Sequence, residues 1–423
     1  MSAPRVCMFV HSPLLHDARV EREAATLAAA GYEVRVVAAR GAGTPARERR
    51  DGFEVERVDS DPAPTRAIRR ALAARECGGE IGTVAAPLHG GRAGVRGAAE
   101  RVALRAHLAA ELARYVRRAA AAAGAAPARV WMAHDLDALP AAWLAQRRYG
   151  GRLLYDSHEL FSERIAVSPA ARPLWRALER RLAPRTDGVI TVGDGVAAEL
   201  ARRYGIPTPT VVRNLPAAPP PGDDHSSPLR SSLGLRADAR IALYLGGLQR
   251  GRGLETLVDV AARLADGDVI VLMGPGHPDY VADLRARAAR TGAGARVLFA
   301  PAVATDDIVR WAAGADVGLA LIQNVSLSYF LSLPNKLFEY VAAGLPVVAS
   351  DFPELRGVVE GRGLGVVCPP HDAEAIARAI AWTLDDPVRH ARLRTAARAA
   401  AAELTWDSES RILVELVGRL ARA

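Results

Sequence analysis

Lysine is almost absent from this chain of 423 residues, because 54 of its 55 basic side chains are arginines and only Lys336 is a lysine. Arginine fills every other basic position, so an exposed arginine is a weak functional signal and the single lysine is a strong one. Cysteine is also scarce. Cys7, Cys77 and Cys368 form no closely spaced pair, which excludes a disulfide-stapled domain and a cysteine zinc site and favours a reducing compartment.

Long hydrophobic runs are missing as well. No run approaches the roughly 18 apolar residues that a membrane span needs, and no charged leader with an apolar segment precedes the first strand pattern. We therefore expect a cytoplasmic protein that is soluble or peripheral at the inner membrane face. Half of the residues are hydrophobic and 24% are charged, so a large core is expected, most easily in two large domains.

The net charge of +8 is concentrated in residues 66–118, where eleven arginines and four glutamates give +7 (11 − 4). Tyr115 is the only aromatic residue of this segment, so stacking on single-stranded nucleic acid is not expected, and we predict no nucleic-acid partner. Two interpretations stay open. The segment is either a basic helical face that contacts an anionic membrane or an acidic acceptor, or a solvated arginine face without a partner.

Short apolar strands alternate with amphipathic helices along the chain, which is typical of parallel α/β sheets. The pattern runs through residues 1–213, stops at the proline-rich residues 214–228 and restarts over 229–405. We interpret 214–228 as a linker between two Rossmann-like, doubly wound domains. The predicted strands are 5–11, 32–39, 53–58, 129–133, 152–156, 188–192, 210–213, 240–246, 268–273, 296–300, 316–321, 346–350 and 365–367. Because open α/β sheets bind ligands beyond their strands, we expect the site in loops along a central cleft.

A glycine-rich turn follows the predicted strand at 240–246. Gly246 and Gly247 let backbone N–H groups approach an anion at a helix N-terminus, and Arg250 or Arg252 can add a charge-assisted contact. The spacing is neither G-x-G-x-x-G nor a Walker loop. Glycine-rich turns between strands and helices are common, so an ordinary turn remains the alternative.

A second helix start carries the single lysine. Pro334 suits a first helical turn, and the free N–H groups from Asn335 to Leu337, together with Lys336, indicate a diphosphate site. Glu339 lies three residues after the lysine on the same helix face. The alternative is a surface ion pair, but the rarity of lysine favours a functional role.

Polar residues follow two strands of the first domain, at 133–137 and 155–159. Histidine exchanges protons near neutral pH, so His134 and His158 are candidate functional residues; helix capping by the neighbouring Asp and Ser is the alternative. The D-x-D at 135–137 has the form of a divalent-metal motif. Such short matches are frequent by chance, and we expect no metal.

Together these segments resemble glycosyltransferase family 4, the retaining enzymes of the GT-B fold. The resemblance rests on residues 11–34, on both polar clusters, on 245–253 and on 334–350. It implies an acceptor domain at 1–213, a donor domain at 229–405, and a C-terminal helix, 406–423, that crosses back to the first domain.

The family match also implies residue roles. Arg252 and Lys336 would hold the donor diphosphate, Glu339 the ribose, and His158 would face the transferred sugar. Further donor-binding residues would be Gly246, Gly247, Arg250, Gly274, Asn335 and Leu337, and acceptor-side residues Arg19, His134, Asp135 and Glu159. Two positions depart from the family: Leu331 replaces the first carboxylate of E-x7-E, and Gly247 stands where many relatives have arginine.

The resemblance thus implies transfer of a sugar from a nucleoside-diphosphate sugar to a hydroxyl of a glycan, lipid or small-molecule acceptor. Retention of configuration, a role in polysaccharide or glycoconjugate biosynthesis, and no essential metal or tightly bound cofactor are part of that expectation. Two alternatives stay open. One is a sugar-nucleotide epimerase of the same fold, and the other is a catalytically weak sugar-nucleotide-binding protein, which Leu331 keeps in consideration.

Overall fold

The computed structural model describes residues 3–15, 17–60, 95–124, 127–217 and 227–423, with 95–105 as backbone only. The chain divides into two compact units, which we call unit 1 (Met1–Val212 with Ser410–Ala423) and unit 2 (Arg213–Glu409). Residues 66–94 of the basic segment and 218–226 of the predicted linker lie outside the described residues.

Unit 1 is built on an eight-stranded sheet. Its strands are β1 (Arg5–Val10), β2 (Glu33–Ala39), β3 (Arg47–Arg50), β4 (Phe53–Val58), β5 (Val130–His134), β6 (Arg152–Ser157), β7 (Gly188–Thr191) and β8 (Thr210–Val211). The order across the sheet is β3-β4-β2-β1-β5-β6-β7-β8, and all neighbours are parallel except β3 and β4. The strand order reverses beside β1, so the ends of β1 and β5 mark the position where such sheets bind ligands.

The helices of unit 1 connect these strands. They are α1 (Ala18–Ala29), α2 (Val95–Ala123), α3 (Leu139–Tyr149), α4 (Arg172–Leu182) and α5 (Asp194–Tyr204). Helix α1 begins where the Asp17 side chain accepts a hydrogen bond from Val20 N, an N-cap that satisfies one free donor of the first turn. Its buried face carries Val20, Ala24 and Leu27, so the helix packs on the sheet through an apolar stripe.

Unit 2 has a six-stranded parallel sheet of order β11-β10-β9-β12-β13-β14. The strands are β9 (Arg240–Leu245), β10 (Asp268–Met273), β11 (Val297–Ala300), β12 (Val317–Ala320), β13 (Val347–Ser350) and β14 (Gly365–Cys368). Buried apolar side chains dominate them, as expected of a parallel sheet covered on both faces. The order reverses between β9 and β12, so their carboxyl ends mark the ligand-binding edge.

The helices of unit 2 complete the doubly wound pattern. They are α6 (Pro228–Ser232), α7 (Leu254–Ala261), α8 (Pro278–Arg290), α9 (Ile308–Ala312), α10 (Leu327–Phe330), α11 (Asn335–Ala342), α12 (Pro353–Val359), α13 (Ala373–Leu384) and α14 (Pro387–Glu403). The last helix, α15 (Trp406–Arg422), starts in unit 2, and from Ser410 onward it belongs to unit 1. There the side chains of Leu416 and Leu420 lie beside Gly188 of β7.

The predicted strands are all present, with ends that differ by at most two residues. Strand β3 was not predicted because its sequence, RERR, has no apolar alternation. It pairs only with β4, at the sheet edge, where charged side chains protect against pairing with other chains. Within the described parts of the chain, no helix is both long and apolar enough to span a membrane.

Candidate functional site

Two glycine turns of unit 2 lie against each other at the carboxyl end of the sheet. Gly246 N donates to the carbonyl of Met273 (3.0 Å), and Leu248 N donates to that of Pro275 (2.7 Å). Gly274 has a φ of +144°, and a Cβ there would lie 2.2 Å from the Gly246 oxygen. Only glycine tolerates that combination. The close approach of the turns after β9 and β10 therefore depends on Gly274.

Lys336 is buried on the first turn of α11, beside the first of these turns. Its Nζ lies 3.6 Å from the ring centroid of Tyr244 and 3.6 Å from the position of a Cβ built on Gly246. The Nζ atom makes no hydrogen bond to the described residues. Burial, and then the charge of Arg252, lower the pKa of Lys336 well below its ordinary value. A bound anion would supply the acceptors and favour the charged form of the amine.

Helix α11 is fixed to the sheet by Tyr340. The Tyr340 hydroxyl accepts from Leu245 N (2.8 Å) and donates to the Leu319 carbonyl (3.3 Å). Its ring fills the space over Gly318, where a Cβ would lie 2.2 Å from a ring carbon. These contacts connect the helix to both strands at the ligand-binding edge, so they hold Lys336 one turn earlier at a defined position.

The two arginines of the glycine turn point to different places. Arg252 lies 5.6 Å from the centroid of the Tyr329 ring and contributes to the electrostatic environment of Lys336. Arg250 forms an ion pair with Asp283 of α8, and its side chain is largely exposed. Of the two residues predicted to supply charge where relatives have arginine, Arg252 is therefore the one beside the lysine.

The other predicted donor-binding residues lie around this cluster. Leu337 is buried, and its N–H donates to the Pro334 carbonyl (3.0 Å), which corrects the prediction of a free amide at Leu337. Asn335 is exposed at the start of α11, and Glu339 is half-buried one turn later. Gly247 follows Gly246 in the turn, and its carbonyl lies 3.4 Å from the Tyr244 hydroxyl. The contacts of these residues with a donor stay predictions.

In unit 1, β5 and β6 end side by side and bring their polar residues together. Asp135 N donates to the Asp156 carbonyl (2.9 Å). Asp135 has a φ of +63°, a conformation that non-glycine residues seldom adopt, and its Oδ1 accepts from His158 N (3.1 Å). The His158 Nε2 lies 3.0 Å from Asp156 Oδ2. On the other side of the ring, His158 Nδ1 lies 3.8 Å from Asp135 Oδ2, so the His158 ring is held between two carboxylates.

The charge on His158 follows from that placement. Burial opposes the imidazolium form, but Asp135 and Asp156 outweigh it and raise the pKa of His158 to about 10. One-fifth of the side chain is exposed to solvent. At neutral pH His158 is therefore a cation that donates hydrogen bonds, and it is not a proton acceptor.

Two residues predicted on the acceptor side are inside unit 1 instead. Arg19 is buried, and its guanidinium nitrogens contact both carboxylate oxygens of Asp156 and the Val212 carbonyl. His134 is also buried, with Nδ1 3.1 Å from Asp156 Oδ2. Both residues support His158 and are not free to contact an acceptor, which corrects their predicted role. Glu159 is one-third exposed, with Oε1 3.2 Å from Arg164 Nε.

Clusters of histidine and carboxylate side chains can also bind a metal ion. His134, Asp156 and His158 each present one donor atom, and the three atoms lie within 4.8 Å of one another. Arg19 already contacts both oxygens of Asp156, and a guanidinium at that distance repels a divalent cation. We therefore interpret the cluster as a hydrogen-bonded ion network.

The residues of these clusters that were not singled out from the sequence include Tyr244, Tyr340 and Glu23. Tyr244 and Tyr340 read as ordinary core aromatics, and no pattern distinguishes them. Glu23 had a signal, because Arg19, Glu23 and Leu27 are spaced by four residues and so share one face of α1. A charged pair on the apolar face of a helix indicates buried ionic partners elsewhere in the fold.

Both units match family models of glycosyltransferases. The family model described as "Glycosyltransferase Family 4" matches residues 18–214, and the one described as "Glycosyl transferases group 1" matches 239–386. A D-inositol 3-phosphate glycosyltransferase of Xylanimonas cellulosilytica is 28% identical over 296 residues, which are 67% of this chain and 70% of the relative.

Solved structures resemble the whole chain. Sucrose-phosphate synthase of Thermosynechococcus elongatus has a TM-score of 0.74 at 20% identity and is covered over 99% of both chains. The Anabaena protein HepE, solved with UDP-glucose, has a TM-score of 0.70 at 19% identity over 99% of this chain and 100% of that chain. At these identities the likeness concerns the fold.

The two parallel-sheet units, together with the family models that match them, define a glycosyltransferase of the GT-B class, so the predicted fold class is confirmed. Within that class, the matches to the family 4 and group 1 models agree with the family predicted from the sequence. The predicted activity, transfer of a sugar from a nucleotide sugar, is confirmed at that level. Neither the family models nor the relatives favour the epimerase or the weak binding protein.

Proposed function

We propose that the enzyme transfers the sugar of a nucleoside-diphosphate sugar to a hydroxyl of a glycan, lipid or small-molecule acceptor, with retention of configuration and without a metal. The observation that carries this proposal is the buried Lys336 Nζ, which has no hydrogen-bond partner among the described residues and lies beside Arg252 and the first glycine turn. A leaving diphosphate is an anion of the right charge for this arrangement.

The proposed chemistry follows from these charges. The bond from the sugar to the diphosphate oxygen breaks, and the acceptor hydroxyl forms the new bond on the same face of the sugar. Its proton passes to the departing phosphate oxygen, so the protein supplies no base. Lys336, Arg252 and the N-terminus of α11 stabilise the leaving group, and His158, which keeps its proton at neutral pH, orients the sugar.

The identity of the nucleotide-sugar donor is the first property to determine. HepE was solved with UDP-glucose, which supports a nucleotide-sugar donor for this fold. Purified protein is incubated with a panel of nucleotide sugars and acceptor extract, and nucleoside diphosphate release is followed by chromatography. Release that requires an acceptor supports transfer. Conversion of the donor without an acceptor would identify an epimerase, and saturable binding without release would identify a weak binding protein.

Two further measurements test the finer parts of the proposal. The anomeric configuration of the product, read from its proton NMR coupling constant, must match that of the donor. Turnover must be unchanged by EDTA if the cationic side chains replace a metal. Inversion of the anomeric centre would contradict the proposed chemistry, and loss of turnover in EDTA would contradict the metal-free diphosphate site.

We also propose that residues 66–118 contact an anionic membrane, so that the enzyme works at the cytoplasmic membrane face. The described end of this segment carries Arg114, Arg117 and Arg118 on one stretch of α2, and basic helical faces bind anionic lipid. Sedimentation with anionic vesicles must weaken when these three are changed to glutamine. The triple variant Arg180→Gln/Arg181→Gln/Arg185→Gln, on exposed positions in and just after α4, is the matched control.

A further inference from the structure

A group of buried charged side chains lies next to His158 inside unit 1, and the proposed chemistry does not use them. Glu23 and Asp156 are fully buried, and Arg19 and His134 are nearly so. Among these and His158, only the His158 side chain has substantial exposure, at one-fifth. Buried charges are costly unless they are paired, so their arrangement requires a specific explanation.

Asp156 is the centre of this arrangement. Arg19 binds it in a bidentate manner, with Nε 2.9 Å from Oδ2 and Nη2 2.7 Å from Oδ1. The same Oδ2 lies 3.0 Å from His158 Nε2 and 3.1 Å from His134 Nδ1. Because a fork of two hydrogen bonds fixes the plane of the carboxylate, Arg19 determines where Asp156 presents Oδ2 to His158.

Glu23 approaches the same arginine one helical turn later on α1. Its Oε1 lies 3.1 Å from Arg19 Nε, and its Oε2 lies 4.0 Å from His134 Nδ1. Neither oxygen accepts a hydrogen bond of normal geometry from the described residues. The contact with Arg19 is thus an ion pair by charge and distance, and it places a second carboxylate on the Nε side of the guanidinium.

We propose that Glu23 is a positioning residue for His158, and that it acts through the guanidinium of Arg19 and the carboxylate of Asp156. The Glu23 carboxylate holds Arg19 from α1, Arg19 fixes Asp156 on β6, and Asp156 fixes the exposed histidine ring. This inference rests on the proposed function, because the proposed function is what assigns the His158 ring to the transferred sugar.

The charged groups facing Glu23 come from every element packed around it: Arg19 on α1, Asp156 on β6, His134 on β5 and His158 after β6. Burial raises the pKa of Glu23 to about 7; Arg19 opposes this shift and Asp156 adds to it. The ionised carboxylate therefore forms only as the pH passes neutrality. The charge attraction between Glu23 and Arg19 therefore strengthens over the same pH range.

The test compares Glu23→Gln, which keeps the shape and removes the charge, with the wild-type enzyme. Misplacement of a group at the reacting centre costs up to about a hundredfold in rate, so we expect kcat to fall by about tenfold or more at pH 8, with the donor KM within about threefold. The loss is expected to shrink toward pH 6, where the wild-type Glu23 carboxyl is itself protonated.

A second readout does not depend on activity. The titration of His158 is followed by NMR in histidine-labelled protein and assigned with His158→Gln. Removing a negative charge near an imidazolium lowers its pKa, so the His158 midpoint is expected to fall in Glu23→Gln. Glu179→Gln is the matched control, because Glu179 is a buried carboxyl of the same unit that accepts from Tyr155 and Tyr204 hydroxyls.

The outcomes separate the two proposals. Wild-type kcat and an unchanged His158 midpoint in Glu23→Gln would overturn the positioning role, as would an equal loss in Glu179→Gln. Full activity of His158→Gln would instead contradict the proposed function, while the NMR titration still measures the coupling. If Glu23→Gln does not fold, Arg19→Lys is measured, which keeps the charge and removes the fork; an unchanged kcat in that variant would overturn the inference.

Discussion

Replacing Lys336 by methionine is expected to stabilise unit 2 and at the same time to abolish most of the activity. The side chains have similar length, and methionine suits an apolar environment. In the wild-type protein the Lys336 Nζ is removed from water, has no hydrogen-bond acceptor in the described parts of the chain and lies on the face of the Tyr244 ring. Stability and function therefore place opposite demands on this one position.

The magnitude can be worked from these contacts. Taking an ammonium out of water costs several kcal/mol after relaxation, and a cation over an aromatic ring returns about 2 kcal/mol of that. The net cost is about 2 kcal/mol, and a unit of this size gains roughly 2–4 °C in Tm per kcal/mol. We expect a Tm higher by about 4–8 °C for Lys336→Met. Loss of a donor to the leaving group should cost roughly a hundredfold or more in kcat.

The contribution of Lys336 to the free energy of unfolding changes with pH in a definite direction. Because the pKa of Lys336 is lowered in the folded state, the folded protein binds fewer protons than the unfolded chain between that lowered value and 10.5. The free energy of unfolding contributed by this residue therefore rises with pH in that window. The stability advantage of Lys336→Met should be largest at low pH and should shrink as the pH approaches 10.5.

The assay is thermal unfolding at several pH values, paired with nucleoside diphosphate release. Arg250→Met is the matched control, since Arg250 is on the same turn but is largely exposed and paired with Asp283; its Tm and turnover should change little. The reasoning is refuted if Lys336→Met is less stable than the wild type, or if it keeps turnover within about threefold, because a leaving-group contact is worth far more than that.

Three other changes have expected outcomes. Gly274→Ala places a Cβ against the Gly246 oxygen at a positive φ, so it should lower stability by about 3 kcal/mol and weaken nucleotide binding, as calorimetry would show. Tyr340→Phe leaves Leu245 N without its buried acceptor and should cost about 1–3 kcal/mol in denaturant unfolding. Glu23→Gln should stabilise more at pH 8 than at pH 5, because a carboxyl whose pKa is raised to about 7 costs stability only as it ionises; an equal effect at both pH values would contradict the burial argument.

The sequence predicted the fold where the features that determine it are local and recur along the chain. Apolar runs and the turns between them are local features, so the strands and the two doubly wound units followed from the order of residues. Lys336 was likewise visible, because a solitary lysine is conspicuous without a structure, whereas Gly274 was predicted from the family resemblance alone.

The hydrogen-bond partners of particular residues were not visible in the same way. Arg19 was predicted on the acceptor side from the family resemblance, but its partner Asp156 is 137 residues away in the sequence. Leu337 seemed to offer a free amide because it is in a first helical turn, yet the tight geometry after Pro334 uses that amide internally. In both cases the side chain or amide has a partner that helix position alone does not identify.

The two clusters differ in how completely their charges are satisfied, and that difference determines which cluster an anion can complete. In unit 1 the cation His158 lies between Asp135 and Asp156, and its charge is stable without a ligand. In unit 2 the amine of Lys336 has a second cation nearby, and its pKa is lowered. An arriving diphosphate therefore gains little from His158, whereas at Lys336 it stabilises the ammonium and takes the place of missing hydrogen-bond acceptors. Protonation of Lys336 and binding of the donor diphosphate are then coupled, so donor affinity must decrease as the pH rises above the lowered pKa of the free lysine.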